Sequence, residues 1–319
     1  MSVMNSSASS SRRRRRRQAA LTTVALAAVV TGALVACGNS TGSAVAATPA
    51  AAGRHSATAA ATGTAAADPS LHMIENNGHK LAFHVTPGHL PAIVLDAGGG
   101  LDSSQWKKIA PALAKKTGSE VITYDRTGMG KSEEIIGSWN AENAASDLEA
   151  GLTKLGVTHN VILVSHSQAG EVATYFAKKN PRRLSGAVLV DASLPNFYTD
   201  SETARIEAAN QGQVAALDGQ LSTRVTRQLL ATASNYGPMH RAYHAVSWPK
   251  SVPATVIASS ATPFDTPEDA QLWRDALRQF ADASANRQLV VAEKTSHDIP
   301  AERPDVVIKA VENMVKAHG

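Results

Sequence analysis

Val161-Ile162-Leu163-Val164 is an apolar run that passes through Ser165-His166 into the turn Ser167-Gln168-Ala169-Gly170. Beyond the turn, Ala169, Val172, Ala173 and Phe176 recur at i, i+3, i+4 and i+7, the stripe of a helix with one face in a core. An apolar strand feeding such a helix narrows the fold sharply, because a strand without polar alternation must be covered on both faces. The bend also has a chemical consequence. It lifts the Ser167 hydroxyl off the tip of a strand, where a base can reach it and the next backbone N–H can face a substrate oxygen.

The remaining chain repeats that alternation. Segments 71–75 and 80–85 flank Asn76-Asn77-Gly78, a hairpin signal. Segment 92–95 is apolar and leads into Gly98-Gly99-Gly100. The spacing of Trp106, Ile109 and Leu113 predicts a helix over 104–117, and 121–124 reads as the next strand. A helix over 141–155 buries Ala145, Leu148 and Leu152 and stops at Gly156. Segments 187–190, 255–258 and 289–291 read as three more strands, and 306–318 as a closing helix. The order implies an α/β fold, a mostly parallel sheet flanked by helices on both faces. One stretch, about 195–250, lacks a convincing strand. Helical segments around 201–211 and 214–232, followed by several aromatics, mark it as a helical cap inserted over the sheet edge.

The N-terminus reads differently. Arg12 to Arg17 form a basic block, and 19–33 is apolar without a charge. That stretch is shorter than the ~20 residues a spanning helix needs. Small residues then precede Cys37, so 1–36 reads as an export signal. Leu34-Val35-Ala36-Cys37 resembles a bacterial lipobox, which implies cleavage before Cys37 and a diacylglyceryl group on its sulfur. Two acyl chains anchor a protein stably to a membrane, whereas one does so only marginally. Residues 37–67, rich in Ala, Thr, Ser and Gly, read as a flexible tether. Residues 68–319 then form one domain.

Composition sharpens this reading. Cys37 is the only cysteine, which excludes an intrachain disulfide, a thiol nucleophile and a cysteine metal site. The chain has 31 basic and 27 acidic residues, but six of the arginines lie in the signal. Removing it leaves 25 against 27, a net charge of −2. The basic character therefore belongs to the signal, and nucleic acid is not expected as a partner.

From residue 71 onward the chain resembles the α/β-hydrolase fold family. Leu95-Asp96-Ala97-Gly98-Gly99-Gly100 matches its oxyanion loop. Tyr124-Asp125-Arg126-Thr127-Gly128-Met129-Gly130-Lys131-Ser132 matches its Asp-Arg-x-Gly-x-Gly-x-Ser loop. Ser165-His166-Ser167-Gln168-Ala169-Gly170 matches its nucleophile elbow, and Val188-Leu189-Val190-Asp191 the strand after it. Thr295-Ser296-His297 stands where the family places its catalytic histidine. Two departures are visible. Ser165 and Ala169 replace the usual glycines of the elbow, and Ala97-Gly98 replaces the usual His-Gly pair.

The resemblance implies Ser167 as nucleophile and His297 as general base. Of the eleven histidines, His297 is the one that directly follows the last predicted strand. His166 adjoins Ser167, but strand alternation points it the other way. The acid is divided between Asp191, at the tip of its strand, and Asp265, in the loop after the next one, with Asp191 placed first. The oxyanion hole falls to the backbone N–H groups of Gly99 and Gln168. Asp125, Arg126 and Ser132 read as braces beneath the site. Trp106, Tyr236, Tyr243 and Trp248 are candidates for an acyl pocket or for core.

The expected activity is extracytoplasmic hydrolysis of a small carboxylic ester through an acyl-serine intermediate, with no metal or organic cofactor and with the membrane engaged through the lipid on Cys37. Amidase, lactonase, C–C hydrolase and perhydrolase chemistry use the same elbow. A non-catalytic binding protein on a hydrolase scaffold is the alternative from another class.

Overall fold

The computed structural model of the protein describes residues 68, 70–218 and 223–318. The expected signal, Cys37 and the tether lie outside them. Among the described residues no helix is long and apolar enough to cross a membrane.

The strands are β1 (Leu71–Asn76), β2 (His79–Thr86), β3 (His89–Asp96), β4 (Ser119–Asp125), β5 (Val161–His166), β6 (Leu184–Val190), β7 (Ala254–Ser259) and β8 (Arg287–Ala292). They form one sheet in the order β1-β2-β4-β3-β5-β6-β7-β8. Only β2 runs against the rest. The helices of nine or more residues are α1 (Ile109–Thr117), α2 (Ala141–Lys154), α3 (Ala169–Lys179), α4 (Asp200–Asp218), α5 (Arg224–Ala233), α6 (Tyr236–His244), α7 (Pro267–Asp282) and α8 (Pro304–His318).

Strand alternation divides the core in two. Leu163, Leu189 and Val256 face the side covered by α2, α3 and α7. Ile162, Val164, Val188, Val190 and Ile257 face the side covered by Ile109 and Leu113 of α1 and by Val307, Val311 and Met314 of α8. The central strands carry apolar side chains on both faces because helices cover both.

Three expectations need correction. The helix expected over 104–117 is a 3₁₀ turn at Ser103–Trp106 followed by α1, because the Asp102 side chain caps the Ser104 N–H and starts the chain early. The break between the first two cap helices falls after Asp218 rather than at Gly212, which α4 accommodates in its exposed face. Helix α7 has no counterpart among the expected elements. Its Thr266 side chain accepts from the Asp269 N–H, and Pro267 opens its first turn.

Helices α4 to α6 rest on the sheet through polar as well as apolar contacts. The Tyr243 hydroxyl donates to the Ser193 carbonyl at 2.9 Å, and His240 Nε2 lies 3.3 Å from Glu171 on α3. Of the proposed pocket aromatics, Trp106, Tyr243 and Trp248 are buried in packing. Trp248 donates to the Val252 carbonyl at 3.0 Å and meets Phe280 edge-on. Tyr236 borders a cavity of about 290 Å³ with Glu207, Asn210 and Val214.

The sheet order reverses between β3 and β5. From β3 the chain goes outward to β4 and then returns to β5 on the other side. A crevice opens at the carboxyl ends of strands at such a point, and ligands bind there in open α/β sheets.

Candidate active site

Ser167 follows β5 with φ +55°, a left-handed conformation that costs a non-glycine residue about 1–3 kcal/mol. The fold holds it there from both sides. Its N–H donates to the Val190 carbonyl at 3.1 Å, and its carbonyl accepts from Ser193 and Gly170 at 2.9 Å each. Ser165 and Ala169, where glycines are usual, are both buried. The close approach falls on Gly170 instead. A Cβ there would stand 2.6 Å from the Ser193 carbonyl oxygen and 2.8 Å from the Ala192 Cβ. The small residue this elbow cannot do without is therefore one turn position further on.

His297 lies in the loop after β8. Its Nε2 is 2.8 Å from Ser167 Oγ, and its Nδ1 is 2.7 Å from Asp191 Oδ2. Because a carboxylate only accepts, the Nδ1 hydrogen bond places the proton on Nδ1 and leaves Nε2 free to accept from the serine hydroxyl. The loop is pinned on several sides. The Thr295 N–H donates to Ser260 Oγ at 2.9 Å, the Ala261 N–H to the Thr295 carbonyl at 2.9 Å, and the Ser296 hydroxyl to Glu302 at 2.6 Å.

Asp191 follows β6 with φ +41° and is fully buried. Oδ2 accepts from the Ser259 hydroxyl at 2.6 Å as well as from His297. Oδ1 accepts from Trp273 Nε1 at 3.0 Å and from the Ser259 N–H at 3.2 Å. Burial raises its pKa, but the donors from His297, Ser259 and Trp273 outweigh burial and hold the carboxyl below the ordinary carboxylate value. Asp265 is exposed and makes no hydrogen bond to His297. The structure thus brings Ser167, His297 and Asp191 into one line and leaves Asp265 outside it.

The glycine loop after β3 stands beside the elbow, since β3 and β5 are neighbours in the sheet. Arg126 is buried beneath it. The guanidinium forms an ion pair with Asp96 and donates to the Ala97 carbonyl, and its Nη2 donates to the Gly98 carbonyl at 2.7 Å. In a trans peptide the C=O and N–H point to opposite sides. Drawing the Gly98 carbonyl towards Arg126 therefore turns the Gly99 N–H away from it. Among the described residues neither the Gly99 N–H nor the Gln168 N–H has an acceptor.

Asp125 ties two loops together, accepting from the Ser103 N–H and the Lys131 N–H at 2.8 Å each. Ser132 bridges the Asp125 carbonyl and the Ala82 N–H. Ser259, Trp273 and Gln105 are not visible as site residues in the sequence. Trp273 opens the apolar stripe of α7, with Ala276, Leu277 and Phe280 at i+3, i+4 and i+7, but nothing in that stripe marks its indole N–H as a partner of Asp191, and nothing local ties Ser259 or Gln105 to positions 68 and 61 residues away. Among the described residues no group of three or more His, Cys, Asp or Glu side chains is placed to hold a metal ion.

A family model described as "Alpha/beta hydrolase family" matches residues 93–310. A putative non-heme chloroperoxidase of Synechocystis is 35% identical over 123 residues, covering 39% of this chain and 44% of that protein. A cis-3-alkyl-4-alkyloxetan-2-one decarboxylase of Shewanella oneidensis is 28% identical over 123 residues, 38% of either chain. These matches span less than half the length of the curated relatives. A thermophilic esterase from Thermogutta terrifontis superposes with a TM-score of 0.57 at 23% identity, over 78% of this chain and 99% of that one. A bromoperoxidase from Bacillus anthracis gives 0.59 at 19% identity, over 77% and 100%. At these identities the solved structures establish a shared fold.

Proposed function

This chain belongs to the alpha/beta hydrolase family, and from that premise we propose that it is a serine hydrolase that cleaves carboxylic esters through an acyl-serine intermediate. One observation carries the proposal. The Ser167 hydroxyl, the His297 imidazole and the Asp191 carboxylate stand in hydrogen-bonded series at 2.8 and 2.7 Å. That series can move a proton off an alcohol and hold the resulting imidazolium.

In this mechanism Ser167 Oγ attacks the ester carbonyl carbon while its proton passes to His297 Nε2. The carbonyl oxygen becomes an oxyanion facing the N–H groups of Gly99 and Gln168, beside the N-terminus of α3. The C–O bond to the alcohol then breaks, and His297 returns the proton to the departing alkoxide. Water repeats the sequence: His297 takes its proton, the hydroxide attacks the acyl carbon, and Ser167 leaves with the proton restored. Asp191 stays anionic throughout and holds the imidazole in one tautomer.

A fluorophosphonate probe should label the wild-type protein and p-nitrophenyl acetate should turn over, whereas Ser167→Ala should abolish both without changing the fold by circular dichroism. Undiminished labelling of the variant would refute the nucleophile.

A second reading has its own support in the haloperoxidase names among the relatives. Hydrogen peroxide in place of water would release the acyl group as a peracid from the same intermediate. Peracid formation that depends on both peroxide and Ser167 distinguishes it from plain hydrolysis.

We further propose, from sequence alone, that residues 1–36 direct export and that Cys37 carries a lipid, with 37–67 as tether to a catalytic domain from 68 onward whose cap spans about 195–250. Metabolic labelling with an alkynyl fatty acid should mark the wild-type protein and be lost in Cys37→Ala.

A further inference from the structure

His166 precedes Ser167, its ring centroid lies 4.8 Å from that of His297, and no step above uses it. It is 4% exposed and makes two directional contacts. Nε2 lies 3.0 Å from the His297 carbonyl oxygen, and Nδ1 lies 2.8 Å from Gln105 Nε2. The donors and acceptors can be arranged in only one way. A carbonyl accepts, so His166 Nε2 carries the proton. In the neutral ring Nδ1 then accepts, so its partner must be the Gln105 NH₂ group. That leaves Gln105 Oε1 to accept from the Gly98 N–H, at 2.9 Å.

The contacts form one unbroken series, from the Gly98 N–H through Gln105 and His166 to the His297 carbonyl. Burial, and then the neighbouring His297, push the His166 pKa down to about 3, so the ring stays neutral and the series keeps its direction through the neutral range. Arg126 holds the other side of the same loop, through the Gly98 carbonyl. Gly98 itself leaves no slack, because a Cβ there would stand 2.8 Å from His166 Nδ1.

We propose that Gln105 and His166 are positioning residues that couple the loop presenting the Gly99 N–H to the loop carrying His297. Their hydrogen bonds go to each other, to the Gly98 N–H and to the His297 carbonyl rather than to the reacting atoms. The inference rests on the serine-hydrolase reading, because it assigns the strut a role in setting oxyanion donor and base relative to each other. Displacements of about 1 Å in such groups cost on the order of 100-fold in rate.

The test uses the whole protein, with active sites titrated by fluorophosphonate and rates measured on p-nitrophenyl acetate. Gln105→Met keeps length and approximate volume and removes both hydrogen bonds. It should lower kcat per titrated site by about 10- to 100-fold, with KM within about twofold. Affinity for a trifluoromethyl ketone, which forms the tetrahedral adduct, should fall in parallel. Gln105→Glu keeps the acceptor for the Gly98 N–H and sets a carboxylate oxygen, which cannot donate, against His166 Nδ1, so it too should lose kcat; a loss that disappears as pH falls would report a proton recruited to Nδ1 and the strut remade. A glutamate side chain also keeps the native shape, which guards against a folding failure in the methionine variant. His166→Leu combined with Gln105→Met should cost no more than the larger single effect, because one strut cannot be broken twice.

A wild-type protein that neither labels nor hydrolyses would refute the serine-hydrolase reading itself. An active wild type whose Gln105 variants keep kcat within twofold, or whose double variant shows the product of the single effects, would overturn the strut alone. A fall in melting temperature with unchanged kcat per titrated site would assign Gln105 to stability and would also overturn it.

Discussion

At the scale of single residues, Asp191 and Asp265 have the same side chain and opposite circumstances. Asp191 is fully buried, and its two oxygens receive four hydrogen bonds from His297, Ser259 and Trp273. Those donors make an ionised carboxylate tolerable inside the protein, and ionisation is what fixes the proton on His297 Nδ1. Asp191→Asn should therefore lower kcat/KM on p-nitrophenyl acetate by about 10³- to 10⁴-fold, because an amide can present its NH₂ to Nδ1 and select the wrong tautomer. Asp265→Asn should stay within twofold of wild type. Comparable losses in both would show that neither holds the imidazole as described. With the Asp191 carboxyl held below the ordinary range, the acid limb of kcat/KM should not fall at the ordinary carboxylate value, and a limb there in the pH profile would contradict an Asp191 held ionised by its donors.

At the scale of elements, glycines in helices separate packing from propensity. Gly170 lets α3 approach the strand end that carries Asp191 to Ser193, and no room remains for a Cβ. Gly170→Ala should destabilise the protein by about 1–3 kcal/mol in urea denaturation, since helix and loop must part. It should also reduce activity, because Ser167 is held by the same contacts. Gly212, in the exposed face of α4, has nothing within 4 Å of its Cβ position. Gly212→Ala should stabilise by up to about 1 kcal/mol through helix propensity alone. Opposite signs at two helical glycines test whether space or backbone freedom governs each.

For the molecule as a whole, acid stability depends on carboxylates that hold loops. Burial raises the Asp125 pKa, but the His84 ring 3.8 Å away and donation from the Lys131 and Ser103 N–H groups outweigh it and bring the value down to about 2. Its folded pKa thus lies below the unfolded one, so its contribution to stability is complete above the unfolded value near 4 and is lost as pH falls through about 2. Asp125→Asn should lower stability at neutral pH and flatten its dependence on pH between about 4 and 2, as read from unfolding midpoints. An unchanged slope in the variant would assign acid sensitivity to other carboxylates. The loops that Asp125 ties, at Ser103 and Lys131, flank the glycine loop and the Arg126 brace, so loss of this carboxylate should loosen the site before the sheet.

The sequence alone determined the architecture, because apolar strands without alternation can be satisfied only by a sheet covered on both faces. It also marked Ser167 and His297, since a strand-turn-helix with small residues is a local pattern and the chain order of its partners is a linear one. It did not reveal the early 3₁₀ turn at Ser103–Trp106 or the extent of α4, where a capping side chain or an exposed face, rather than apolar spacing, sets the boundary, whereas the stripe of α7 at Trp273, Ala276, Leu277 and Phe280 stands in the sequence at helical spacing. Nor could it choose between Asp191 and Asp265, because both stand after strands in the required order. Only the tertiary structure decided which of them meets His297, for the deciding groups, Ser259 and Trp273, come from β7 and α7 and acquire meaning through proximity in space. The same holds for the partners of Gln105, His166 and Arg126. His166 and Arg126 are buried and Gln105 half-buried, and the groups that satisfy them lie on other segments, beyond the reach of any periodicity along the chain.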